Sequence, residues 1–150
     1  MAHVQQQILE ALKAVLVAAA TDAGQNVFLD HVDPLSLTQL PALLIEESPS
    51  GESVAPSTVS GMQRRDLRVS VTAVVAHASE YGARARELGL QVEKALAAAT
   101  PQLIRLAKAG FALETGRMLL SGEGKEAKAA RQQVWRFSYL VRPNAPDVAL

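Results

Sequence analysis

Leu67, Val69, Val71, Ala73 and Val75 are apolar, and Arg68, Ser70 and Thr72 between them are polar. A period of two suits a strand with one buried and one wet face, and an amphipathic helix cannot produce it. The pattern predicts a strand over 64–75. Val74 breaks the alternation, so the far end of this strand is expected to be covered on both sides.

The neighbouring segments supply partners for that strand. Val4, Ile8, Leu12, Val15, Leu16 and Ala19 form one apolar stripe at helical spacing, which predicts a helix over 4–21 that stops near Gly24. Val27 to Val32 is a short β-prone run ended by Pro34, and ALLIEE at 42–47 is apolar enough for a central strand. Ser79 can cap a second helix over 80–99, with Tyr81, Ala85, Leu88, Val92 and Leu96 on its apolar face. Thr100-Pro101 restarts the chain as N-cap and N1 of a short third helix. Residues 111–120 and 131–142 read as a strand pair, with Trp135, Phe137, Tyr139 and Val141 on one face of the last strand.

Two stretches lack such patterning. SPSGESVAPSTVSGMQ at 48–63 is rich in Ser, Gly, Pro and Thr, and SGEGKEAKAA at 121–130 is polar with mixed charge. Both are expected to be polar loops. A connection as long as the first is uncommon unless it has a function. The end of the chain, PNAPDVAL at 143–150, carries two prolines and is expected to be loosely held. The 150 residues argue for one domain. The expected class is α+β, with two main helices and a short third on one face of a mixed, mostly antiparallel sheet of four to five strands.

Chemistry is looked for next, and no catalytic constellation emerges. Gly122-Glu123-Gly124-Lys125 resembles the end of a phosphate-binding loop, but Leu119 and Glu126 stand where such a loop needs glycine and a hydroxyl residue. Asp30, His31 and Asp33 could form a small carboxylate–imidazole site. Their position running into Pro34 reads more simply as a polar strand end. Glu46 and Glu47 are adjacent on a strand and point to opposite faces, so they are no acid/base pair. There is no cysteine, which excludes disulfides and thiolate metal sites. No catalytic residue, cofactor or metal site is expected. Lys plus Arg and Asp plus Glu are 15 each, which argues against a protein built to grip nucleic acid. MAHVQQQ has no basic leader pattern, and Glu10 and Lys13 interrupt Ile8 to Ala20, so a soluble chain made inside the cell is expected, with no membrane span. Arg64, Arg65 and Arg68 form a small basic cluster, read either as charges that blunt a strand end or as a patch facing DNA or an acidic partner.

Taken in order, several phrases resemble the tail terminator proteins of long-tailed bacteriophages, the minor tail protein U-like family. These are QQQILEALKAVL, VFLDHVDPLSLTQLPALLIEE, the long polar loop, RRDLRVSVTAVVAHA, RARELGLQVEKALAAAT and a last strand ending WRFSYLVRP. They run over most of the chain, and their order and spacing carry the resemblance. It implies helices packed on one face of a mixed sheet. It also implies a homohexameric ring that caps the tail tube in the virion, assembles in the host cytoplasm, ends tube polymerisation and joins tail to head. The implied partners are further copies of the chain, the tail tube protein and a head–tail connector protein, with DNA passing through the hole unbound. On this reading the two loops order against a neighbour. The expected interface or lumen residues are Ser50, Gly51, Glu52, Arg64, Arg65, Arg68, Glu123, Lys125 and Lys128. Two other readings stand beside it. One is a different tail or neck component, such as a head–tail joining or tail tube protein. The other is a cellular α+β module with a ligand pocket under Trp135 and Tyr139.

Overall fold

The computed structural model describes residues 2–56, 61–76, 79–121 and 128–150. Helix α1 (Val4–Ala18) opens the chain and strand β1 (Val27–Leu29) follows it. A 3-10 turn (Leu37–Gln39) leads into strands β2 (Ala42–Pro56) and β3 (Gln63–Ala76). Helix α2 (Tyr81–Ala98) and the one-turn α3 (Thr100–Leu103) precede β4 (Phe111–Ser121) and β5 (Lys128–Val141). The five strands form one sheet in the order β1-β2-β3-β5-β4. Among the described strands only β1 and β2 run parallel; the other three neighbouring pairs are antiparallel. The α+β class, the two main helices, the short third and the mixed sheet all follow the sequence pattern.

The alternation in β3 fixes which face is covered. Leu67, Val69, Val71 and Ala73 join Leu43 and Ile45 of β2 and Trp135, Phe137, Tyr139 and Val141 of β5 in one core. Val4, Ile8, Leu12, Val15 and Leu16 of α1 and Leu88, Val92 and Leu96 of α2 close it from above. Burying side chains of this size contributes about 1.5–3 kcal/mol each before the cost of ordering them. Among the described residues, the opposite face is covered only near the end of β3. There Val74, Ala42 and Leu35 pack with Phe28, Leu40 and Leu44, so both sides of that end are covered, as the break at Val74 suggests.

At the helix starts Glu80 and Ala99, not Ser79 and Thr100, hold the N-cap positions, and the structure departs from the sequence pattern in four further places. Residues 48–56 belong to β2 and not to a loop. After Glu47 pairs with Val69, the next partners are Glu52 and Leu67, so a bulge absorbs Ser48 to Gly51 and pairing resumes to Pro56. Pro49 and the left-handed Gly51 (φ 69°) hide this strand from a pattern reading, although its backbone hydrogen bonds to β3 continue. Residues 128–130, expected in the second loop, pair with β3 and β4 as the start of β5. β1 ends at Leu29, because Asp30 turns the chain off the sheet in a left-handed conformation (φ 52°). The tail at 143–150 is tied down. The Val4 N–H donates to the Pro146 carbonyl (3.1 Å), the Leu150 N–H donates to the Leu140 carbonyl (3.0 Å), and Ala149 packs on the core. The first of these bonds satisfies an N–H that α1 leaves free at its start.

Candidate functional site

The bulge decides what the β2–β3 hairpin presents. It puts an odd number of extra residues into β2, so Glu52, rather than its neighbours, turns to the helix-covered face beside Leu67. Its Oε2 accepts the Tyr139 hydroxyl at 2.6 Å, and its Oε1 lies 3.4 Å from Arg65 Nη1. Only 8% of the Glu52 side chain and 17% of the Arg65 side chain are exposed. Arg65 also donates to Gln63 (3.1 Å) and approaches His3 Nε2 at 3.3 Å. His3 caps α1, its Nδ1 accepting the Gln5 N–H at 3.1 Å. A chain of polar contacts thus ties the hairpin to β5 and to the start of α1. Burial raises the Tyr139 pKa, and the bond to Glu52 and its negative charge add to this, while Arg65 opposes it.

The uncovered sheet face carries a second set. Arg64 Nε sits 3.2 Å from Asp66, which also accepts the Ser138 hydroxyl at 2.6 Å. Burial pushes the Asp66 carboxyl up, but the Ser138 bond, the Arg64 bond and charge, and the Arg136 charge together hold it below its ordinary value. Arg68 donates to Ser53 (3.1 Å) and pairs with Glu114 of β4 at 3.2 Å. Arg136 lies directly opposite Arg68 across β3 and β5, and its Nε is buried without a hydrogen-bond partner.

Of the expected interface residues, Ser50, Gly51, Glu52, Arg64, Arg65 and Arg68 come together at the hairpin. Glu52 and Arg65 turn inward, and Arg64 and Arg68 lie on the open face. Ser50 is exposed and bonds Ser48 (2.9 Å between hydroxyls). Lys128 pairs with Ala76 at the other end of β3, on the order of 40 Å from Arg64 at about 3.3 Å per residue. Glu123 and Lys125, with the rest of 122–127, lie outside the described residues.

Among the described residues Trp135 and Tyr139 are core side chains and line none of the depressions given below. Both are buried, and the indole N–H donates to Gln133 (3.1 Å), which in turn donates to the Gly89 carbonyl of α2 (3.0 Å). Gly89 lets the sheet approach this closely, since a Cβ there would meet Gln133 Nε2 at 3.1 Å. The depressions lie elsewhere. One of about 520 Å³ is lined by Asp22, Leu37, Leu40, Pro41, Arg84 and Leu88, among others. Another of about 500 Å³ runs beside Val32, Leu119, Leu120 and Lys128. The His31 and Phe28 rings lie tilted against each other, with centroids 4.9 Å apart. No group of three or more His, Cys, Asp or Glu among the described residues could hold a metal ion, and no described helix is long and apolar enough to cross a membrane.

The sequence held two clues to the inward pair. Arg65 is in phase with Leu67 and Val69, so the alternation places it on the buried side. A buried tyrosine also needs a partner for its hydroxyl. Glu52 carried no such signal, because the bulge changes its phase.

No family model matches the chain, and no curated protein matches it. Among solved structures, the chain is similar to one from the virion of a native gene transfer agent particle. The two are 19% identical, the match covers 91% of this chain and 90% of that one, and the TM-score is 0.41. At that identity and superposition the likeness bears on neither family nor function.

Proposed function

We propose that this chain is a structural virion protein that caps a phage tail tube as a homohexameric ring, ends tube growth and offers the surface for head–tail joining. One observation carries the reading. The phrases that resemble the tail terminator family follow one another along the chain, from the opening helix to the last strand. The helix-on-sheet arrangement that this resemblance implies is the one these segments adopt.

The open sheet face suits such a part. Arg64 and Arg68 each sit beside a carboxylate, Asp66 and Glu114. These pairings lessen what Arg64 and Arg68 offer a DNA backbone, and a conduit works best when it does not retain its cargo. The proposed partners are further copies of the chain, the tail tube protein and a connector protein. The proposed place is the tail, assembled in the host cytoplasm. Other tail and neck components differ in how they assemble, and this separates them. Negative-stain images over a concentration series with purified tail tubes should show closed six-membered rings on the tube ends that never elongate. Tubes formed by the chain alone would assign it to the tube itself. Failure both to form rings and to bind tube ends would overturn the terminator reading.

A further inference from the structure

The two edges of the sheet are managed differently. On the β1 side, the three-residue β1 gives way to the outer edge of β2, where Pro49, Pro56, a bulge and the exposed Glu46 and Glu47 discourage pairing. On the other side β4 ends the sheet with eleven residues, FALETGRMLLS, that contain no proline; it too has a bulge, between Leu113 and Thr115, and two charges, but Glu114 and Arg117 are of opposite sign and can pair across a seam. Nothing among the described residues pairs with its outer side. Leu113 is 39% and Leu120 62% exposed along it. A long edge of this kind is a template for another strand.

The order of residues on β4 says which strand fits. Residues 111–120 read alike from either end: three apolar residues, one charge, two small residues, the opposite charge, and three apolar residues. Two copies laid antiparallel about an axis between Thr115 and Gly116 would place Glu114 of each opposite Arg117 of the other. The same register sets Leu113 opposite Met118, Ala112 opposite Leu119 and Phe111 opposite Leu120. The faces agree as well. In a regular strand this register would oppose residues from different faces, but the bulge between Leu113 and Thr115 shifts the phase by one. Phe111, Leu113, Met118 and Leu120 then share the helix-covered side, and Ala112, Glu114, Arg117 and Leu119 share the open side. Glu114 meets Arg68 there and Arg117 meets Gln132 there, which places both charges on the open face. At the axis the phases disagree, so the ladder is interrupted at Thr115 and Gly116 and carried by the pairs on either side of them.

We propose that the free protein is a two-fold dimer joined along β4 in this register, forming one continuous ten-stranded sheet. Such a contact uses the same patch on both copies and closes at two, so it is distinct from a cyclic ring contact. It describes the chain before it reaches a tail.

Light scattering on the full chain should give twice the 16.0 kDa chain mass at micromolar concentration. Arg117→Glu and Glu114→Arg should each weaken the dimer by roughly tenfold or more, since each sets two like-charged pairs across the axis. The double reversal should restore the dimer, which a merely structural role for either residue would not do. Thermal melting would confirm that each variant folds. The chain has no cysteine, so Thr115→Cys can cross-link only to another copy. Oxidation should yield a covalent dimer for this variant and none for Leu90→Cys on α2. A monomer at every concentration would overturn the proposal. So would assemblies, including six-membered rings, that neither single reversal weakens, or the absence of cross-linking at residue 115.

Discussion

Replacing Glu52 with alanine tests whether the 48–56 segment is a strand that helps hold the fold or a loop that awaits a partner. The variant removes the acceptor of the Tyr139 hydroxyl and the carboxylate beside Arg65. Breaking a buried pair by removing one member costs about 3–5 kcal/mol, because the other charge stays behind. Arg65 keeps Gln63 and some solvent, which argues for the lower end, about 3 kcal/mol. For a chain of this size about 1 kcal/mol moves the midpoint by roughly 2–4 °C, so melting should fall by roughly 10 °C. Tyr139→Phe leaves the Glu52–Arg65 pair in place and should cost only about 1–2 kcal/mol. The two changes share Glu52, so together they should cost less than their sum. Thermal and urea melts of the four proteins give the comparison. A Glu52→Ala protein that melts within about 2 °C of the parent would refute the reasoning and return the segment to a loop. Deleting residues 50–60 removes Glu52 as well, so that deletion should destabilise the fold as a whole.

The polar link between α2 and β5 gives a second test. Gln133→Leu strands the Trp135 indole N–H and removes a donor from the Gly89 carbonyl, and should cost about 2–3 kcal/mol in a urea melt and alter the near-ultraviolet signal of the only tryptophan. Gly89→Ala should also destabilise, although alanine favours a helix by about 1 kcal/mol, because the new methyl crowds Gln133 and Arg131. Stability should bend at both ends of the pH scale. The Tyr139 pKa is raised by burial and then by Glu52, so its contribution is complete below the ordinary tyrosine value of 10.0 and is lost as pH rises beyond it; Tyr139→Phe should flatten that alkaline limb. Asp66 is lowered below 3.8, so its contribution is present above that value and is lost as pH falls further; Asp66→Asn should flatten the acid limb of the same melt series.

What could be read from the sequence is what periodicity reports. The apolar stripes of α1 and α2 and the alternation of β3 reflect one buried face each, and they place these elements within a few residues of their observed bounds. The same logic fails where a strand is polar on both sides or interrupted. Residues 52–56 hold their place through backbone bonds to Arg65, Arg64 and Gln63, which leave no apolar signature. The tail is fixed by backbone groups of Val4 and Leu140, which are equally silent. Grouping Lys128 with the arginines followed shared charge, and only the pairing of β3 with β5 reveals that they stand at opposite ends. The inward turn of Glu52 depends on its pairing with Leu67 across a bulge, which no composition records.

That bulge has a consequence for how the hairpin can change. Between the Glu47–Val69 and Glu52–Leu67 pairs, β2 uses three residues more than β3. Losing two of them would shorten the bulge and still deliver Glu52 to Tyr139. Losing all three would leave Glu47, one residue and Glu52 opposite Val69, Arg68 and Leu67, a regular ladder in which Glu52 still faces Tyr139. Shortening at 48–51 by up to three residues should therefore keep the carboxylate inside, because the pairing with Leu67 sets its face.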